Sequence, residues 1–302
     1  MKIIERVIEY TSRSDEFDIH VITDIHDGDK ASDTPRLERR LDEINKDPFA
    51  LWVDLGDNCA FINMRDPRVS FGSLPRWLVI ALNDNPKSGL AQLQRDHLAR
   101  LINERETLGS KLLAWVEGNH ESSIHKHSEI DVYLSLLEKI RPNTKQALAV
   151  GLSGFLVLRF RRMKKNGGYS TFSVVIYMHH GWGGGDLAGG VNLKLERQMD
   201  RIEADVYLMG HHHKVTTHTN AGQMRVNEGL QLEQGADKVG AICGTYLRTV
   251  INDADTWAEG KSFRAAPSTS DIIVRIRPDK KEIDMVQRTV RESAILEAVE
   301  GS

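Results

Sequence analysis

Residues 17–28 read Phe-Asp-Ile-His-Val-Ile-Thr-Asp-Ile-His-Asp-Gly. The first seven form a short apolar, β-branched run with the composition of a buried strand. That run delivers Asp24 and His26 at its carboxyl end, the position that lines the ligand crevice in α/β folds. An Asp-x-His tripeptide alone is common in solvated loops, so the weight lies in repetition. The run at 49–55 (FALWVDL) leads into Gly56-Asp57-Asn58, and the run at 111–117 (KLLAWVE) into Gly118-Asn119-His120-Glu121. The run at 172–178 (FSVVIYM) leads into His179-His180-Gly181, and the run at 205–209 (DVYLM) into Gly210-His211-His212-His213. A lone Asp after glycine is ordinarily a turn residue, and a lone His an ordinary core or surface residue. Five successive strand ends carrying oxygen and imidazole donors beside glycines point instead to a metal centre, where backbone must turn sharply and approach an ion closely.

Between the first two runs, Thr34 as N-cap, Pro35 at the first helical position and Leu37, Leu41 and Ile44 on one face predict a helix, hence a β-α-β opening. A second helix is expected over 90–105, where Leu90, Leu93, Leu98, Leu101 and Ile102 make an apolar stripe. A third is expected over 129–140, stopping before Pro142. Residues 153–161 and 169–178 read as an antiparallel pair joined through Asn166-Gly167, so the sheet should be mixed. Residues 271–276 and 281–287 read as a second hairpin around Pro278-Asp279, followed by a helix over 292–299. With no internal repeat and no linker, the expectation is one domain over 1–302. Its metal motifs fall in 17–215 and a strand and hairpin extension in 216–302.

The 302 residues are 40% hydrophobic and 27% charged, the balance of an ordinary globular protein. A net charge of -3 gives no overall positive field for holding a polyanion, so any contact with nucleic acid must be local. Two cysteines, Cys59 and Cys243, are weak grounds for a disulfide, and reduced thiols are expected. The first 17 residues lack a signal-type apolar core and no long apolar span follows, which sets the expectation of a cytoplasmic protein without membrane contact.

Taken together, Asp24-x-His26, Gly56-Asp57, Gly118-Asn119-His120-Glu121, the later His-His-Gly and Gly210-His211-x-His213 resemble the calcineurin-like metallophosphoesterase signature over residues 17–215. The resemblance implies a four-layer α/β/β/α sandwich, with two mixed sheets face to face and helices outside. It implies that Asp24, His26 and His213 hold one divalent ion, that Asn119, His179 and His211 hold a second, and that Asp57 bridges them. Only one of His179 and His180 need bind, and relatives with paired histidines favour His179. His212 should then point elsewhere. A donor set of imidazoles and carboxylates suits Mn, Fe, Zn or Ni better than Mg or Ca, with Mn the expected ion in vitro.

Such a pair, about 3.5–4 Å apart, would activate a water for in-line attack at phosphorus. His120 would contact the phosphate alongside Asn119 and protonate the leaving oxygen. Glu121 is available to orient His120. The implied substrate is a phosphate ester, a phosphodiester such as a nucleotide or nucleic acid ahead of a phosphomonoester. The alternatives are a protein phosphatase, whose Gly-Asp-x-x-Asp-Arg-Gly continuation is missing here, and a non-catalytic metal-binding scaffold.

Three secondary features stand out. Gly181, Gly183, Gly184, Gly185, Gly189 and Gly190 surround Trp182, either as a plain connection or as a lip on which Trp182 stacks a base. Arg159, Arg161, Arg162, Lys164 and Lys165 form a basic run best read as solvated hairpin charge. Gly244-Thr245-Tyr246-Leu247 and Trp257-Ala258-Glu259-Gly260-Lys261 more faintly resemble bacterial and phage members of the superfamily.

Overall fold

Side chains along residues 17–22 leave the backbone in alternation: Phe17, Ile19 and Val21 enter one apolar cluster and Ile22 another. A strand buried on both faces belongs to a sheet covered on both sides. The computed structural model describes residues 1–60, 71–128, 131–141, 148–184, 188–251 and 270–289. In chain order these form β1 (Lys2–Tyr10), β2 (Phe17–Ile22), α1 (Thr34–Lys46), β3 (Ala50–Asp54), α2 (Arg76–Asp84), α3 (Leu90–Asn103), β4 (Leu112–Val116), α4 (Asn119–Ser128) and α5 (Val132–Lys139). Then come β5 (Ala149–Gly151), β6 (Ser153–Met163), β7 (Tyr169–His179), α6 (Ala188–Arg201), β8 (Val206–Met209), β9 (Thr216–Asn220), β10 (Met224–Val226), β11 (Leu232–Gln234), β12 (Lys238–Ile242), β13 (Asp271–Arg277) and β14 (Glu282–Arg288).

The strands make two six-stranded mixed sheets, ordered β14-β13-β2-β3-β4-β5 and β1-β6-β7-β8-β12-β9, besides the small β10-β11 hairpin. In the first sheet β2, β3 and β4 run parallel while β13 is antiparallel to β2. In the second, β6 and β7 are antiparallel and β7, β8 and β12 parallel. One apolar cluster joins the inner faces, with Ile19, Val21, Val53 and Val116 meeting Leu158, Val174, Ile176 and Leu208. Trp52 and Trp115, on the other face of the first sheet, pack with Leu37, Leu41, Leu98 and Leu137 of α1, α3 and α5. Tyr177 and Tyr207, on the outer face of the second, pack with Val191, Leu195 and Met199 of α6. The layers are therefore helices, sheet, sheet and helix, the four-layer α/β/β/α sandwich that the resemblance implies.

Several local expectations change. The cap of α1 is Asp33, not Thr34: its carboxylate accepts the Arg36 amide at 3.2 Å, which places Pro35 one position further in. The helix expected over 129–140 begins at Val132, because Asp131 caps the Leu134 amide at 2.8 Å. Ahead of it stands α4, whose first three residues, Asn119, His120 and Glu121, the sequence places at a strand end. The charged N-terminus is a strand, its alternation placing Ile4 and Tyr10 inward in β1. The helix expected over 292–299 and the 257–261 motif lie outside the described residues, as do Gly185 and Pro142. Among the described residues, no helix is long and apolar enough to cross a membrane. Both cysteines are buried and unpaired.

His20, on the helix-facing side of β2, is 7% exposed and its Nδ1 has no hydrogen-bond partner. Burial, then the nearby Arg40, lowers its pKa from 6.5 to about 4. Unfolded His20 therefore binds a proton more tightly than folded His20. Its contribution to stability is complete above pH 6.5 and is lost as pH falls toward 4. His20→Leu is expected to remove a loss on the order of 2–3 kcal/mol across that window, read as the difference between the two proteins' urea-unfolding free energies at pH 7 and pH 4.5.

Candidate metal centre

The loops that leave the carboxyl ends of β2, β3 and β8 bend the wrong way for an L-residue. Among the described residues seven non-glycines have left-handed backbone, and five of them are Asp24 (φ 50°), His26 (51°), Asp57 (55°), His211 (71°) and His213 (54°). Each such conformation costs about 1–2 kcal/mol, and strain of this kind gathers at functional sites. Hydrogen bonds hold the bends together: the Asp24 amide donates to the Gly56 carbonyl at 2.9 Å, and the His26 amide to the Asp57 carbonyl at 3.1 Å. Two glycines let the loops touch. A Cβ on Gly56 (φ 92°) would stand 2.4 Å from the Gly118 nitrogen, and one on Gly118 would stand 2.1 Å from the Asp57 nitrogen.

The side chains carried on these bends converge. Asp24 is 0% exposed. Its Oδ2 accepts from Thr23 Oγ1 at 2.5 Å and from the His211 amide at 2.9 Å. Its Oδ1 faces His213 Nε2 at 3.2 Å and His26 Nε2 at 3.9 Å, and those two nitrogens are 3.2 Å apart. Asp57 Oδ1 accepts the His120 amide at 2.9 Å, while Oδ2 lies 3.2 Å from His180 Nε2 and 3.9 Å from His120 Nε2. The inward atom of the Asn119 amide stands 2.7 Å from His211 Nδ1, 3.0 Å from His180 Nε2 and 3.2 Å from Asp57 Oδ2. Three groups of donors result, Asp24-His26-His213, His26-Asp57-His120 and Asp57-His180-His211, each with its ligand atoms within 4.8 Å of one another.

Three imidazoles are turned by the backbone so that one ring nitrogen points inward. Because a carbonyl can only accept, His180 Nδ1 donates to Leu55 at 2.7 Å, His211 Nε2 to Gly183 at 3.0 Å and His120 Nδ1 to Ala60 at 2.8 Å. Outer hydrogen bonds of this kind orient histidine ligands around metal ions. Burial, then the neighbouring His120 and His213, lowers His26 to about 3, so it carries a lone pair at neutral pH. Burial raises the Asp24 carboxyl, but His213 outweighs it and holds the group at about 2. Burial likewise works against ionised Asp57, yet His180 and His120 keep it well below the usual carboxylate range. Burial alone would lower His180, but the Asp57 and Asp24 carboxylates overcome it and hold it up at about 10. Buried carboxylates beside inward-facing imidazole nitrogens are a donor set that fits divalent transition ions, whose binding would displace the His180 proton.

Of the residues singled out in the sequence, Asp24, His26, Asp57, Asn119, His120, His211 and His213 come together. His179 does not; His180 stands in the donor group instead. The reason is the period of two along β7: Val174, Ile176 and Met178 face the other sheet and His180 continues their side, whereas His179 follows Tyr177 outward. There His179 Nδ1 accepts the Gly181 amide at 2.6 Å and its ring meets Trp182 edge-on at 5.2 Å. His212 stays out of the three groups, as expected. Glu121 does not orient His120. It is buried and accepts the amides of Asp57 at 3.2 Å and Asn58 at 2.9 Å, so it shapes the Asp57 bend. Burial, then Asp57, pushes it up to about 7.

Two supports escaped the sequence reading. After β12, Thr245 Oγ1 and the Tyr246 amide both donate to the Asp24 carbonyl, at 2.7 and 3.1 Å. Only the faint 244–247 motif hinted at this. His97 of α3 holds Asp27 Oδ2 at 2.8 Å and stacks on Trp77 at 3.9 Å. No local pattern links those three residues. The basic run is partly neutralised, Arg159 by Glu5 and Arg162 by Asp279.

No family model matches the sequence, and no curated protein does. Among solved structures, the chain is similar to a conserved uncharacterised protein of Streptococcus pneumoniae described as a predicted phosphoesterase, at 13% identity and a TM-score of 0.31. That match covers 91% of this chain and 99% of the other. It is also similar to a Vps29 double mutant from Entamoeba histolytica, at 12% identity and a TM-score of 0.35, covering 90% and 99%. Vps29 from Chaetomium thermophilum matches at 12% identity and a TM-score of 0.36, covering 91% and 95%. At such scores the likeness is loose, and the site stands on its own residues.

Metal content separates the two adjacent histidines. Purified His180→Ala is expected to bind about one Mn²⁺ fewer per chain than the wild type, measured by elemental analysis after gel filtration, whereas His179→Ala keeps the full content. Equal loss in both variants would contradict the assignment of His180.

Proposed function

We propose that the chain is a metal-dependent phosphoesterase of the calcineurin-like metallophosphoesterase superfamily, acting on phosphodiesters ahead of phosphomonoesters. The observation that carries this reading is the convergence of donors on Asp57, whose carboxylate is shared by two of the three groups. Asp24, His26 and His213 would hold one divalent ion, Asn119, His180 and His211 a second, and Asp57 would lie between them. Two such ions supply an acidified water and charge neutralisation on a phosphoryl group, which is the chemistry of phosphate-ester hydrolysis.

The remaining work belongs to the chain. His120 has its Nδ1 anchored on the Ala60 carbonyl, so Nε2 is the atom that faces the centre and handles a proton. Its ring packs edge-on against His26 at 4.8 Å, which fixes the direction of that nitrogen. From this position His120 would protonate the departing oxygen. Asn119 and His120 open α4, so the positive end of the helix dipole faces the place a phosphate would occupy. Glu121 keeps the Asp57 bend closed from beneath. Thr23, Thr245 and Tyr246 hold Asp24 against both neighbouring loops. Mn²⁺ is the expected activating ion in vitro.

Chelator-stripped protein is expected to hydrolyse neither bis(4-nitrophenyl) phosphate nor 4-nitrophenyl phosphate, and Mn²⁺ to restore turnover with the diester preferred. His120→Ala, loaded with metal to the wild-type level, is expected to turn over about 10²-fold more slowly. Wild-type rates in that variant would remove His120 from the chemistry. No turnover of either ester by metal-loaded wild type would leave a metal-binding scaffold.

A further inference from the structure

The outward-facing His179 opens a second feature. Between the end of β7 and α6 lies a groove of about 460 Å³ whose walls include Tyr177, His179, Trp182, Arg197, Gln198 and Arg201. Its size falls in the range of small-molecule sites. It shares a wall with the metal centre: on one side of the 181–184 turn His211 Nε2 donates to the Gly183 carbonyl, and on the other Trp182 meets His179. Lys194 Nζ fixes the turn by donating to the carbonyls of Trp182 at 2.8 Å and Gly184 at 3.0 Å.

The chemistry of the groove is aromatic at one end and cationic along its length. Trp182 is 43% exposed and so offers ring surface to a partner. Lys194, Arg197 and Arg201 follow one another at helical spacing along one side of α6. Among the described residues, neither Arg197 nor Arg201 has an acidic partner, and no carboxylate lines the groove. Planar guanidiniums without carboxylates match phosphate oxygens in geometry and charge. Gln198 supplies a third signal. It is 7% exposed, lines the groove, and its Oε1 has no hydrogen-bond partner, an arrangement that costs free energy until a donor arrives.

We infer that this groove binds a nucleoside phosphate: the base stacks on Trp182, the Gln198 amide reads a polar edge, and Arg197 and Arg201 take the phosphate. Resting on the phosphodiesterase reading, the inference makes the bound unit the nucleotide next to the scissile phosphate. The substrate is then a nucleotide diester or a nucleic-acid strand. A local arginine pair also reconciles a polyanionic substrate with a chain of net charge -3.

The test is a fluorescence titration of the full, Mn²⁺-loaded chain with AMP, adenosine and a short single-stranded oligonucleotide. AMP should quench tryptophan emission, the quench should vanish in Trp182→Phe, and AMP affinity should fall about tenfold or more in Arg197→Ala/Arg201→Ala. Adenosine should bind about tenfold more weakly than AMP. Tighter binding of the oligonucleotide would identify a strand, and equal binding a free nucleotide. No quench by AMP, or one unaltered by the double arginine substitution, overturns the inference. The titration reads binding alone, so a chain that hydrolyses no ester yet shows the arginine-dependent quench would sink the activity and leave the groove.

Discussion

A carboxylate with no access to water, Asp24, is the constraint to which the rest of the centre conforms. Its amide is tied to the loop after β3, one side-chain oxygen to the loop after β8, and its carbonyl to the segment after β12. Four stretches far apart in sequence therefore meet on one residue. A buried carboxylate is tolerable only when compensated, and here the compensation is asymmetric. Oδ2 receives two hydrogen bonds, whereas Oδ1 faces imidazole nitrogens. That unequal treatment turns a structural liability into half of a candidate cation site.

The bends follow from the same demand. Aiming five donors at one small volume from parallel strand ends requires each chain to reverse within a residue or two, which places Asp24, His26, Asp57, His211 and His213 in left-handed backbone. At about 1–2 kcal/mol each, the strain totals on the order of 5–10 kcal/mol. It is offset by the three apolar layers, whose strands hold the loop ends in place, and by the hydrogen bonds between loops. Metal binding would add to that balance, since an ion that binds only the folded chain stabilises it. Asp and His also resist left-handed backbone less than most residues, so ligand chemistry and backbone geometry favour the same residue types.

The sandwich also separates two kinds of chemistry by a single residue step. Along β7, even positions enter the space between the sheets and odd positions face α6. His180 accordingly joins the buried donors, while His179 turns toward an aromatic, arginine-lined groove. Adjacent histidines so placed let one strand end serve both the centre and what lies beside it. The Gly181 to Gly184 turn is the partition, pinned by Lys194.

Much of this was legible in the chain itself. The apolar runs before Asp24, Asp57, Asn119, His180 and His211 marked the central strands, because burial on both faces demands near-continuous apolar sequence. The glycines beside them marked where backbones must touch. The helix over α3 and the two hairpins followed from periodicity and turn residues. Tertiary structure decided the rest. Phe-Ser-Val-Val-Ile-Tyr-Met is apolar on both faces, so nothing local states which parity faces the opposite sheet, and His179 and His180 could be told apart only once both sheets were in place. Glu121 reads as an ordinary polar residue until the fold brings the Asp57 and Asn58 amides, more than sixty residues away in sequence, within reach of its carboxylate. The grip of Thr245 and Tyr246 on Asp24 spans more than two hundred residues. Donor types at strand ends are a local property and were readable; which donors come within reach of one another depends on register, packing and loop contact, and those exist only in three dimensions.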